Sequence, residues 1–174
     1  MIGKVPDPLT IVMLNPGDFH FGGGHTRIST LLGSCISITL WHPQRRIGGM
    51  CHYVLAERRV TLERLSYPTL DGRYADDAFA LFLQHMAEAG TRPNQYQAKL
   101  FGGGNMFNGG SDSMAIGSRN IERGRELLAA NNITLVAEHV GGNGRRKLHF
   151  DLRSGHAWLA FPEGSNAYIR NTHE

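Results

Sequence analysis

The stretch Leu32-Gly33-Ser34-Cys35-Ile36-Ser37-Ile38-Thr39-Leu40-Trp41, followed by Pro43-Gln44-Arg45-Arg46 and then Ile47-Gly48-Gly49-Met50-Cys51-His52-Tyr53, carries the fold. Residues Cys35 to Trp41 alternate and are rich in β-branched side chains, so they read as a strand. Pro43 to Arg46 has turn composition, and Ile47 to Leu55 reads as the returning strand. Its paired glycines point to a close backbone approach or a bulge. An antiparallel hairpin of these two strands has its turn roughly midway between Cys35 and His52. Both residues therefore come to the same end.

Working outward, Thr10–Leu14 and Arg27–Leu32 read as two earlier strands. Asn15-Pro16-Gly17-Asp18 is a turn, and His20 to His25, with three glycines, reads as a loop. Ala56 to Gly72 is a long connection. Arg73 to Ala89 has Ala75, Ala78, Phe79, Phe82, Met86 and Ala89 on one helical face, with Asp76 and Asp77 at its start and Gly90 at its stop. Tyr96–Phe101 is a strand ending in a glycine turn. That turn lacks the lysine and spacing of a phosphate-binding loop. Ile116 to Asn131 is a second helix with Ile121, Leu127 and Leu128 inward and Arg119, Glu122, Arg123, Arg125 and Glu126 outward. Gly124 within it implies tight packing beneath. Ile133–Val140, Lys147–Leu152 and His156–Phe161 are three late strands, and Ala167–Ile169 a short edge strand. The expected architecture is α/β: packed mixed or antiparallel sheets flanked by two principal helices, in one domain over residues 1–174.

The totals narrow the function classes. The chain has 174 residues and two cysteines, too few for a disulfide framework or a four-thiolate zinc site. A net charge of +3 gives no basic cluster that demands nucleic acid. No apolar run nears the ~20 residues of a membrane span, and Met1 to Pro8 lack a secretory core, so a cytoplasmic protein with reduced thiols is expected. His20 and His25 have no third ligand nearby. Cys51 and His52, adjacent on a strand, point to opposite faces, which makes joint metal ligation awkward.

Cys35, after a short apolar run and a glycine, is placed for presentation at a strand end. A thiol with an imidazole beside it is the minimum of a cysteine nucleophile: the ring takes the thiol proton as a thiolate–imidazolium pair and later protonates a leaving nitrogen. Gly33 and Ser34 let a substrate approach, and their amides, or that of Cys35, are the candidate oxyanion donors. A third group should fix the tautomer of His52. Ser29 and Thr30 are the candidates. Counting alternate residues back from Cys35 favours Ser29. A buried, inert Cys35 is the competing reading of the same residues.

The order and spacing of Asn15-Pro16-Gly17, Ile28 to Cys35, Ile47 to His52, Gly72 to Asp76, Lys99 to Phe107, Ile116 to Asn120 and Gly141-Gly142-Asn143 resemble the CheD family of chemoreceptor glutamine deamidases. The resemblance implies a fold like that of toxin deamidases and cysteine hydrolases. It implies hydrolysis of selected glutamine side chains on methyl-accepting chemotaxis receptors, with Cys35 as nucleophile, His52 as acid–base and no metal or cofactor. The family's threonine, six residues before the cysteine, falls on Ser29, with Thr30 next to it. Some members bind a CheC-type phosphatase, so a regulatory module that docks receptors or such a phosphatase, without turnover, is the alternative function.

Overall fold

The structure, a computed structural model, describes residues 6–58, 69–106 and 111–169. Much of the Ala56–Gly72 connection lies outside the described residues. Ten strands, β1 (Thr10–Leu14), β2 (Phe19–Gly23), β3 (Thr26–Leu32), β4 (Ile36–His42), β5 (Ile47–Cys51), β6 (Gln97–Gly102), β7 (Thr134–Val140), β8 (Arg146–Asp151), β9 (Ala157–Ala160) and β10 (Asn166–Ile169), form two five-stranded sheets among the described residues. The first runs β1-β3-β8-β9-β10 and the second β2-β5-β4-β6-β7. Pairings are antiparallel except β1 with β3 and β6 with β7. Two helices, α1 (Ala75–Glu88) and α2 (Ser111–Ala130), complete the α/β architecture.

Strand alternation builds three layers. Ile36, Ile38 and Leu40 of β4 face the helices and pack with Phe79, Phe82, Met86, Ile121 and Leu128. The opposite face of the second sheet meets the first: Met50 and Phe101 pack with Ile28, Leu32, Leu148, Phe150 and Leu159. The expected inner faces of both helices hold, with Leu127 packed against the helix-side core. Gly124 is needed where expected: a Cβ there would stand 2.7 Å from Tyr53 Oη and 2.9 Å from Leu100 Cδ1. In β5, a Cβ on Gly48 or Gly49 would strike the carbonyl oxygens of Leu40 and His20, so the glycine pair serves a close approach.

The expected His20–His25 loop is largely a strand. Phe19 to Gly23 pair antiparallel with β5, Phe19 opposite Cys51 and Gly23 opposite Ile47. The three glycines suggest a loop by local preference, but the open edge of β5 supplies backbone partners that local composition does not reveal. The strand expected to reach Leu55 ends at Cys51, continuing only as isolated bridges from Tyr53 to Ile36 and from Leu55 to Tyr74. Helix α2 begins at Ser111, five residues before the expected start.

Candidate active site

The hairpin register sets the geometry. Thr39 stands opposite Met50, and the bridge of Ile36 with Tyr53 continues the same count. Ser37 is therefore opposite His52. Cys35, two residues before Ser37, shares its face and is the diagonal neighbour of His52. Diagonal neighbours on an antiparallel pair lie about 7–8 Å apart, within reach of long side chains. Both point into the layer between the sheets: Cys35 packs against that core, as does Met50, which shares the parity of His52. Cys51 has the other parity and lies in the helix-side core, 1% exposed. The two cysteines are thus separated by a whole sheet.

His52 is 2% exposed. Its backbone is fixed on both sides, the carbonyl accepting from Gly17 N at 2.8 Å and the N–H donating to Asp18 O at 3.2 Å. The turn Asn15–Asp18 therefore seats the histidine. Thr30 Oγ1 donates to Leu14 O at 2.8 Å and stands 2.7 Å from His52 Nδ1. A hydroxyl has one proton, and Leu14 O takes it. His52 Nδ1 must then carry the proton and donate, which leaves Nε2 with a free lone pair. Nε2 is buried and has no hydrogen-bond partner among the described residues. A buried polar atom left unpaired costs about 1–3 kcal/mol, and Ser37 Oγ, opposite His52 in the register, is unpaired among the described residues as well.

Ser29, preferred by counting back from Cys35, faces the other way. Its Oγ is 2.7 Å from His149 Nδ1, on the outer side of the first sheet. The count fails because β3 and β4 belong to different sheets: the Gly33–Ser34 link crosses between layers, so facing does not carry over. Thr30 shares the parity of Ile28 and Leu32, both fully buried between the sheets.

Burial pushes the Cys35 thiol above its ordinary value, only partly countered by its own backbone amide. Burial likewise lowers His52 to about 4, against the weaker pull of Asp18. A resting thiolate–imidazolium pair, expected from sequence, is therefore disfavoured on both members. Burial thus favours the neutral thiol and the neutral imidazole at rest. Cys51, fully enclosed, is pushed up to about 12.

Gly33 and Ser34 form the turn before the thiol. Gly33 O accepts from Gly104 N at 2.8 Å, and Cys35 O from Gly103 N at 3.0 Å. A Cβ on Gly33 would stand 2.7 Å from Met106 Sδ. The glycine turn after β6 is thus a brace for the Cys35 turn. Ser34 O accepts from Asn120 Nδ2 at 3.2 Å, a contact with no counterpart in the sequence reading. The available signal was an asparagine in the α2 stripe of Gly117, Ile121 and Gly124 that faces the sheet. Asn120 also lines a cavity of about 390 Å³, together with Leu55, Glu57, Ile116 and Arg119 among others. Neither Cys35 nor His52 lines it, so it carries none of this chemistry.

The family model for CheD chemotactic sensory transduction matches residues 60–161. A probable chemoreceptor glutamine deamidase CheD 3 from Dechloromonas aromatica strain RCB is 64% identical over 173 residues, covering 99% of both chains. A probable chemoreceptor glutamine deamidase CheD 1 from Chromobacterium violaceum is 45% identical over 150 residues, 85% of this chain and 76% of that one. Another so named, from Leptospira interrogans, is 38% identical over 165 residues, 91% of this chain and 96% of the relative. Among the described residues no helix is long and apolar enough to cross a membrane.

Proposed function

This chain belongs to the CheD family, and from that premise we propose that it hydrolyses glutamine side chains of chemoreceptors to glutamate through a thioester on Cys35. The single observation that carries this reading is the free lone pair of His52 Nε2, with Nδ1 held by Thr30 at 2.7 Å. A histidine fixed in that tautomer, sharing a strand face with a half-buried thiol, is built to accept one proton.

The cycle has two halves. Cys35 Sγ bonds to the carboxamide carbon as its proton passes to His52 Nε2. The carbonyl π pair moves to oxygen. On collapse the C–N bond breaks, and His52 returns the proton to nitrogen, releasing ammonia. Water then attacks the thioester, giving its proton to His52. The C–S bond breaks, the thiol is restored, and glutamate remains on the receptor. An amide needs protonation of its leaving nitrogen, and a base that is neutral at rest can supply the proton it has just taken.

The test is intact-mass spectrometry of a chemoreceptor cytoplasmic fragment incubated with the full chain. Each turnover through the acyl-enzyme replaces NH2 by OH and adds about one dalton. Cys35→Ala and His52→Ala should leave the fragment's mass unchanged while melting as folded proteins. A folded variant of either kind that still turns over would remove this assignment.

A further inference from the structure

We infer that Asn120 is a positioning residue that aims the Cys35 backbone amide as the oxyanion donor of the site. The inference rests on Cys35 being the nucleophile proposed above. Asn120 is 1% exposed and sits on α2, on the far side of the second sheet from the thiol. Its two Nδ2 protons go to two carbonyls, Ser34 O at 3.2 Å and Val54 O at 2.8 Å. Continuing the hairpin register, Val54 stands opposite Cys35. One side-chain amide therefore ties together the backbone of both strands at the level of the nucleophile. Asn120 is itself anchored, its own carbonyl accepting from Tyr53 Oη at 2.6 Å.

The consequence for Cys35 follows from peptide geometry. The described chain has no cis peptide bond, so the Ser34 carbonyl and the Cys35 N–H point in opposite directions. With the carbonyl drawn toward α2, the N–H is directed away from the helices, into the layer that holds the thiol and His52. The N–H and Sγ of one cysteine are only three bonds apart, so the donor is close to the sulfur, and no backbone carbonyl among the described residues takes it. When Sγ bonds to a carbonyl carbon, the new oxyanion forms one atom from that sulfur. A fixed N–H beside Sγ is where such charge needs a donor. Without Asn120 the peptide is free to rotate, and the donor loses its aim.

The test separates oxyanion stabilisation from thiol reactivity and needs no receptor. Acylation of the full chain by p-nitrophenyl acetate forms the S–C bond through an oxyanion and expels p-nitrophenolate. Alkylation by iodoacetamide displaces iodide at sp³ carbon with no oxyanion. In Asn120→Ala the acylation rate of Cys35 should fall at least about tenfold, part of the ~10²–10³ that outright loss of an oxyanion donor brings. Alkylation should lose less than acylation, because the released amide also eases the thiol's ionisation, and it should stay within about twofold at pH high enough to ionise the sulfur in both proteins. Asn120→Ser, which retains one donor, is the second variant and should lie between. Acylation at the wild-type rate, equal losses in both reactions, or failure of both variants to fold would overturn the inference. Should the parent chain acylate in this Asn120-dependent way yet leave a receptor fragment unmodified, the positioning role stands and the substrate reading alone fails.

Discussion

Thr30 Oγ1 lies 2.7 Å from His52 Nδ1 while its proton is committed to Leu14 O, so the threonine is an acceptor for the histidine and nothing else. One hydroxyl thereby sets both the tautomer and the ring orientation. Thr30→Val keeps the shape and removes the acceptor. It should cut kcat for receptor deamidation about 10²-fold with little change in KM, the scale on which small misplacements act. Thr30→Ser should restore most of the loss, whereas Ser29→Ala should stay near the parent rate. Ammonia release in the three variants checks this. A Ser29→Ala defect matching that of Thr30→Val would mean that the wrong hydroxyl has been assigned.

Local periodicity in this chain encodes single strands and hairpins but not how one sheet faces another. The hairpin from Ile36 to Cys51 was legible because Ile36, Ile38 and Leu40 alternate with Ser37, Thr39 and Trp41, a period that survives any tertiary setting. The turn midway between Cys35 and His52 also put the two at one end, while their common face needed the register of the pairing. Facing could not be carried from Cys35 back to residue 29, because the chain changes sheets at Gly33–Ser34 and each sheet defines its own inside. The strand at Phe19–Gly23 was hidden for a related reason: its partner, β5, lies about thirty residues away, and glycines carry no β signal of their own. Asn120 gave no local cue for its two carbonyl contacts, since a buried asparagine reveals its partners only after the helix is docked.

The two thiols should behave oppositely toward iodoacetamide. Cys35 is half-buried, and Cys51 is 1% exposed. Burial holds the Cys51 thiol at about 12. In native buffer a single carbamidomethyl group should appear, on Cys35, with a rate that climbs through and beyond the usual thiol range because burial raises that group too. Cys51 should label only in denaturant. Cys51→Ala should keep turnover and cost about 1 kcal/mol of stability, as small core truncations do. Peptide mapping after native labelling decides, and modification of Cys51 at a comparable rate would contradict its burial.

Acid should unfold the protein by way of its histidines. His52 is lowered from 6.5 to about 4, first by burial. His20, His42, His139 and His149 are lowered too, burial again leading. Between those two pH values the unfolded chain binds protons that the folded one refuses. Stability is thus full above pH 6.5 and declines as pH falls through about 4. The His52 share is up to about 3 kcal/mol, taking 1.36 kcal/mol per unit. His52→Gln, which cannot titrate there, should show a shallower decline in urea midpoint between pH 7 and pH 4.5. Parallel declines in parent and variant would mean that His52 does not contribute.

Gly124→Ala sets two known effects against each other at one position. Alanine in a helix interior is favoured over glycine by about 1 kcal/mol. The new Cβ, however, would lie 2.7 Å from Tyr53 Oη and 2.9 Å from Leu100 Cδ1, both well inside normal contact. Tyr53 cannot retreat: it is 0% exposed, and its hydroxyl is tied to Asn120 O at 2.6 Å. Overpacking of a fixed core costs about 1–3 kcal/mol, so the clash should win and the variant should lose about 1–2 kcal/mol in chemical unfolding. Removing the obstacle distinguishes a clash from a general intolerance of α2. In the Tyr53→Phe background the oxygen is gone, and Gly124→Ala should cost less than it does alone, approaching neutrality as the helix preference reasserts itself. Additive losses in the double variant would place the penalty on Leu100 rather than on the tyrosine.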